Sequence, residues 1–382
     1  MSEYQYYEFQ AVDRPLTQGE MAELRALSTR ARITPSQLQN VYHFGDFKGD
    51  PLVLMERYFD AFVYVANWGT HRFMVRLPRG LLDPQTALTY EVDESLHVHA
   101  RGDVVILELI SQDDEGMGWV DDDEAAGWMP ALLPLRAELA SNDTRCLYLG
   151  WLAAAETGML EDEEIEPPVP AGLRQVSASL AALATFLRIS DDLLAVAAAP
   201  SLDLPEAPSP DDLQQWVARL PAAEKDALLL RLAGDPAHAR AEMLQRFRQA
   251  YAPSSDAAIG GRAVGTLLAA AEERAETTRR QEAERQAAAR ARREREDAVA
   301  RIKYLDSLAG REDDLWRQID ALVEMKRAKE YDQAVQLLQD LHDLSVRQQR
   351  AALFAARLGP LRDRCVKRPS FIERLDRAGL VV

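Results

Sequence analysis

"AAAEERAETTRRQEAERQAAARARRERED", residues 269–297, decides how this chain is organised. It contains no Val, Ile, Leu, Met, Phe, Trp or Tyr, and it contains no Gly or Pro. Alanine, arginine and glutamate are strong helix formers, so the segment reads as helix, with disorder as the competing reading. A coiled coil needs large apolar residues at its a and d positions, and none are present. Opposite charges four residues apart recur, as Glu276/Arg280, Arg290/Glu294, Arg292/Glu296, Arg293/Asp297 and Asp297/Arg301. Each pair contributes only about 0.2–0.5 kcal/mol, enough to assist a helix but not to create one. The expectation is a long, solvated helix serving as an arm or spacer, extending about 43 Å at ~1.5 Å per residue.

The sequence changes character well before this segment. The first ~110 residues mix helix and strand patterns. "YQYYEFQ" (4–10) is aromatic and strand-like, and "TQGEMAELRALSTRA" opens on Thr17 with Glu20 three residues on, the signature of a capped helix. "THRFMVRLP" alternates, and "ALTYEVDE", "SLHVHAR" and "DVVILELI" suggest a meander of three strands. From Met129 onward the patterns are helical. Ala334, Leu337, Leu338, Leu341 and Leu344 mark one face of an amphipathic helix, which forms a hairpin with the helix before it. "RPSFIERLDRAGL" is a last short helix stopped by Gly379.

The fold class expected is therefore α+β, with an N-terminal mixed α/β-sheet domain, an all-helical C-terminal half and a long solvated charged helix. The divisions are an α+β domain at 1–158 and an acidic, proline-rich linker at 159–172. A small helical region follows at 173–258, with a proline-rich break near 199–212. The long charged helix occupies 259–310, and a helical hairpin with a basic tail occupies 311–382.

Composition narrows the function classes. Hydrophobic residues at 47% and charged residues at 28% fit an ordinary globular protein. No apolar stretch reaches the roughly 18 residues of a membrane span. "MSEYQYYEFQ" lacks the features of a signal peptide. The two cysteines, Cys146 and Cys365, supply neither a disulfide framework nor a zinc site. The location expected is cytoplasmic. Lysine accounts for six of 45 basic residues, which fits a GC-rich, bacterial coding sequence. The net charge of −17 opposes coating of nucleic acid by the whole molecule. The charge is uneven, however. Residues 91–124 hold twelve acids and one base, Arg101, whereas 357–377 hold seven bases and three acids.

Four groups of residues are candidates for function. "HFGDFKGDP" (43–51) sets His43, Asp46, Lys48 and Asp50 among glycines. Two aspartates would repel a phosphate and the Walker spacing is absent, so the simpler reading is a turn in which Asp50 caps a helix and Pro51 fills its first position. His97 and His99 lie on one face of a strand and, with Asp46, form the candidate metal set. Alternation on a solvent-facing strand gives the same pattern. Trp119 and Trp128, in the acidic stretch 113–128, are candidate anchors for a partner, or else pack back onto their own domain. That stretch lacks the order of a calcium loop. Arg362, Arg364, Lys367 and Arg368 are the candidate basic contacts. No catalytic motif and no cofactor fingerprint is present, and the chain leans away from an enzyme. The function expected is a non-catalytic cytosolic adaptor or scaffold in a bacterial multi-protein system, with another cytosolic protein as partner. The alternatives are nucleic-acid association through the basic C-terminal helices, and a metal-dependent enzyme with its site in the N-terminal domain.

Overall fold

A computed structural model of the 382-residue chain describes residues 3–113, 122–204, 210–234 and 261–381, together with Ala239, Met243, Arg246 and Phe247. The architecture is α+β: a seven-stranded antiparallel sheet with helices, then a helical C-terminal half that includes one long helix. The chain divides into two compact units, Met1–Thr277 and Thr278–Val382.

In the first unit the strands are β1 (Gln5–Gln10), β2 (Arg32–Ile33), β3 (Gln37–Tyr42), β4 (Ala61–Ala66), β5 (His71–Pro78), β6 (Leu96–Arg101) and β7 (Val104–Ser111). They lie in the order β2-β3-β1-β4-β5-β7-β6. Tyr7 sits opposite Asn40 on β3 and Tyr64 on β4, so β1 is an interior strand. Both of its faces are covered, which explains why "YQYYEFQ" is aromatic without polar alternation. Tyr7 and Phe9 enter one hydrophobic layer with Leu38, Phe47, Phe59, Phe62 and Met74. Helices α1 (Gln18–Leu27) and α2 (Pro51–Arg57) contribute Leu24, Leu54 and Met55 to it. α1 begins with the expected capping box, in which Thr17 and Glu20 exchange side-chain and backbone bonds.

The other face carries the larger layer. Tyr6, Val63, Val65, Phe73, Val75, Leu107 and Leu109 meet the helices α4 (Asp122–Leu132), α5 (Leu135–Ala140) and α6 (Arg145–Glu156). α7 (Ala178–Phe186) and α8 (Asp191–Ala198) join the same core. α6 approaches the sheet so closely at Gly150 that a Cβ there would stand 3.2 Å from both Leu96 and Leu109. The acidic stretch after α6 is anchored: buried Glu166 pairs with Arg262 at 2.5 Å and also accepts the Tyr148 hydroxyl.

One sequence expectation fails. "ALTYEVDE" is not a strand, because Asp83 and Pro84 cap and start a short helix, α3 (Pro84–Leu88). The chain then reverses at Glu94, at φ +68, leaving only an isolated bridge between Val92 and Leu96. The meander has two strands, β6 and β7. Helices α9 (Pro210–Arg219) and α10 (Ala222–Gly234) follow.

The segment that opened the analysis is helical. α11 (Val264–Leu308) runs for 45 residues, about 67 Å, and every residue from 279 to 300 is exposed. Arg290–Glu294 and Arg292–Glu296 pair as expected, at 3.2 and 2.8 Å. Arg280 pairs with Glu284 at 3.2 Å instead of Glu276. Arg301 bonds to Asp340 and Asp343 at 2.5 and 2.7 Å, not to Asp297.

In the second unit α12 (Glu312–Glu324), α13 (Ala328–Arg347), α14 (Ala351–Cys365) and α15 (Pro369–Arg377) enclose a core of their own. Trp316, Ile319, Leu338, Leu341, Phe354, Leu361 and Phe371 fill it, with Leu305 and Leu308 from the end of α11. Among the described residues no helix is long and apolar enough to cross a membrane.

Candidate functional site

The loop "HFGDFKGDP" is a braced turn. Asp50 caps α2, its Oδ1 accepting from the Leu52 and Val53 amides at 2.9 and 3.4 Å, and Pro51 is the first helical residue. Gln5 Nε2 donates to Gly45 O at 3.1 Å and to Asp46 Oδ1 at 3.0 Å. Gly45 takes φ +71, and Phe47 is buried among Tyr7 and Phe9. The bracing leaves Phe44 78% exposed at the tip. Both aspartates of the loop are thus engaged in holding the turn and its helix.

His97 and His99 do share a face of β6, with ring centroids 6.0 Å apart. Asp46 is not with them. It is bonded to β1, and β4, β5 and β7 intervene before β6, a separation on the order of 19 Å at ~4.8 Å per strand. His99 Nε2 instead lies 3.1 Å from Glu108 Oε2, whose other oxygen accepts two bonds from Arg72. Nearer the middle of the sheet, the Tyr7 and Tyr64 hydroxyls both donate to Gln5 Oε1, at 2.7 and 3.1 Å. Burial pushes both phenols above their ordinary range, so they remain donors. These polar groups satisfy one another, which is what a load of buried polar atoms inside a sheet layer requires. Among the described residues no three His, Cys, Asp or Glu side chains come together as a metal site. Both cysteines are buried, and burial pushes both thiols up, away from the nucleophilic thiolate.

Trp128 packs inward. Its ring makes an edge contact with Phe186 at 5.1 Å and lies 6.2 Å from His71, so it belongs to the margin of the sheet core. Trp119 lies outside the described residues.

The basic tail is largely compensated. Arg362 pairs with Asp376 and Arg364 with Asp320, at 2.5 and 2.6 Å. Arg368 pairs with Glu324 at 2.9 Å and donates to Val323 O at 2.7 Å. Arg357, Arg374 and Arg377 pair with Asp313, Asp332 and Glu373. Lys367 alone of the seven has no acid partner among the described residues. A basic run in sequence has thus become a set of ties, most of them running from the last two helices back to α12 and α13.

The arrangement best suited to recognition lies within the second unit, where the start of α12, the end of α13 and the start of α14 leave a pocket of about 380 Å³. That volume lies in the range of small ligand sites, ~300–1,000 Å³. Its floor is apolar: Trp316 and Phe354, with centroids 5.7 Å apart, and the buried Leu341 and Leu344. Leu353 stands at the rim, 65% exposed. The Arg357 guanidinium lies 5.0 Å from the Trp316 ring centroid while bonding to the exposed Asp313 at 2.6 Å. A tight link builds the far rim. Gln348 caps the end of α13, Gln349 takes φ +58, and Arg350 precedes α14 with its amide bonded to Ser345 O at 2.7 Å. The Arg350 side chain is exposed and has no acid partner among the described residues.

Comparison of the chain with protein-family models, curated proteins and solved structures finds no match. The site is therefore read from its own geometry. Trp316, Ile319 and Val323 recur at helical spacing, which reads as a core face, and Phe354 and Leu353 are not among the candidates that the sequence offers. Adjacent residues on a helix point about 100° apart and can both enter a core, as Leu54 and Met55 do, so "LF" at 353–354 does not by itself reveal that Leu353 is exposed.

Proposed function

We propose that this chain is a non-catalytic cytosolic adaptor, and that the second unit supplies a protein-docking surface at the Trp316–Phe354 pocket. The observation that carries this reading is the composition of the pocket: two aromatics in tilted contact, a leucine left 65% exposed, two arginines and two acids, where three packed helices meet. Tryptophan and arginine over a desolvated floor are the residue types that dominate binding energy at protein interfaces. The groups that chemistry would need are instead dispersed over the sheet or bonded to one another, and this favours binding over catalysis. The nucleic-acid reading loses most of its support, because six of the seven tail cations already face carboxylates.

The test is affinity purification of the tagged full chain from its source organism, with and without nuclease, followed by quantitative mass spectrometry. A protein recovered in stoichiometric amount from both samples supports the adaptor. Recovery that collapses with nuclease moves the function to nucleic acid. Recovery of the chain alone from both samples overturns the adaptor.

A further inference from the structure

Cations without partners gather at one end of the second unit. Met325, Lys326 and Arg327 link α12 to α13, Lys329 lies in the first turn of α13, and all four are exposed. Val366 and Lys367, between α14 and α15, are exposed too. Arg368 holds the two links together, donating to Val323 O at 2.7 Å and pairing with Glu324 at 2.9 Å. Residues 324–330 and 363–368 hold six bases and three acids. Arg364 and Arg368 are tied to Asp320 and Glu324. Lys326, Arg327, Lys329 and Lys367 meet no acid among the described residues. Beside these cations Met325 is 57% and Val366 68% exposed, so the end offers apolar contact as well as charge.

The first unit carries a surface of opposite sign and similar build. Glu161, Asp162, Glu163 and Glu164 are consecutive and exposed, and none meets a base among the described residues. Ile165 follows, 62% exposed. The run is held in place at the root of α11, where Asp162 O and Glu164 O accept the Gly265 and Val264 amides at 3.0 and 2.9 Å. The long helix repeats the polarity. Residues 269–284 hold five acids and three bases, and 285–297 hold five bases and three acids. Residues 278–382 as a whole hold 23 bases and 18 acids, a net +5, against −22 for the remainder of the chain. We infer that the chain self-associates, with the Lys326, Arg327, Lys329 and Lys367 end of one copy seated on the Glu161–Ile165 run of a second. Four unpaired cations beside exposed aliphatic side chains meet four unpaired carboxylates beside another. Two chains running in opposite directions also lay each acidic half of the long helix against a basic one. A two-fold axis then makes every contact twice and leaves neither surface open.

The experiment is the mass of the full chain by light scattering at ~0.1 M and ~1 M salt, between which the screening length falls from roughly 10 Å to roughly 3 Å. A doubled mass is expected at the lower salt and the mass of one chain at the higher. Two charge-reversed variants locate the contact: Lys329→Glu with Lys367→Glu on the basic end, and Glu161→Lys with Glu163→Lys on the acidic run. Each alone should weaken self-association at least about tenfold, because like charges then face each other. All four positions are exposed, a glutamate at 329 suits the start of a helix, and circular dichroism will verify that the variants stay folded. Mixed in equal amounts, the two variants should recover the doubled mass, since each reversed surface meets its opposite in the other chain. A single-chain mass for the native protein at the lower salt overturns the inference. So does a doubled mass that both variants keep, or a mixture of them that stays single. A native chain of single mass that binds a single-stranded oligonucleotide, and loses it in Lys329→Glu with Lys367→Glu, would give the basic end to nucleic acid instead. None of these variants alters the lining of the Trp316–Phe354 pocket, so the adaptor reading stands or falls separately.

Discussion

His71 is held neutral chiefly by its burial. Its ring stacks on Phe186 at 4.8 Å, and Nδ1 lies 2.8 Å from the Phe186 carbonyl, which can only accept, so Nδ1 carries the proton. Nε2 then presents its lone pair to Arg188, 3.4 Å away. Burial, with the Arg188 charge behind it, pushes the imidazole from its ordinary value down to about 4, while the Phe186 carbonyl and Asp113 oppose. In the unfolded chain the same group titrates near 6.5. As pH falls, the unfolded state takes the proton first, so stability present above ~6.5 drains away between ~6.5 and ~4. The loss at pH 4.5 is ~2–3 kcal/mol. Urea unfolding at pH 7 and pH 4.5 should show His71→Phe losing that much less than the wild type, and parallel losses would reject the account. Lys326 offers a second case. It sits just past the end of α12 at φ +55, a conformation that costs an L-residue ~1–2 kcal/mol and glycine nothing. Lys326→Gly, after glycine's greater loss of chain entropy, should raise stability by ~0.5–1 kcal/mol in the same assay.

The elements show what the sequence made legible and what it hid. Asp50 and Pro51 were readable as a helix start because capping is local chemistry, complete within four residues. Asp50→Ala should cost ~1 kcal/mol in chemical denaturation, and a loss below 0.3 would mean that the Gln5 brace alone holds the loop. The long helix was readable for the same local reason. Its tail partners were not. Arg364 meets Asp320 and Arg368 meets Glu324 across 44 residues of chain, and no periodicity in the tail announces acids on a different helix. The metal set failed similarly. His97 and His99 share a face by alternation, which is local, but their distance from Asp46 depends on strand order, in which β1 lies between β3 and β4. The pocket was hidden because Trp316 reads as core from its spacing, and only the packing of three helix ends shows that one side of it is open.

At the scale of the whole chain, two cores meet no common residue: one set of buried side chains belongs to Met1–Thr277 and another to Thr278–Val382. The boundary falls inside α11, and just beyond it lie the 22 consecutive exposed residues 279–300. Their helix is supported by propensity and by ion pairs whose side chains are more than 60% exposed, each worth a few tenths of a kcal/mol. Without tertiary packing, such a stretch opens at far lower free energy than either core. Proteases cut the open form, so the cutting rate follows that local opening. The stretch is rich in trypsin sites, Arg279, Arg280, Arg285, Arg290, Arg292, Arg293 and Arg295. Limited trypsinolysis of the native chain should therefore cut within 279–300 while the core of the second unit survives as a fragment ending at Val382. Its arginine-rich last helices should resist, because Arg362, Arg364, Arg368 and Arg374 are tied to neighbouring helices. Mass spectrometry of the early digest decides it. First cuts after Arg362 or Arg364, ahead of any in 279–300, would show that the tail is loose and that its ion pairs do not hold it.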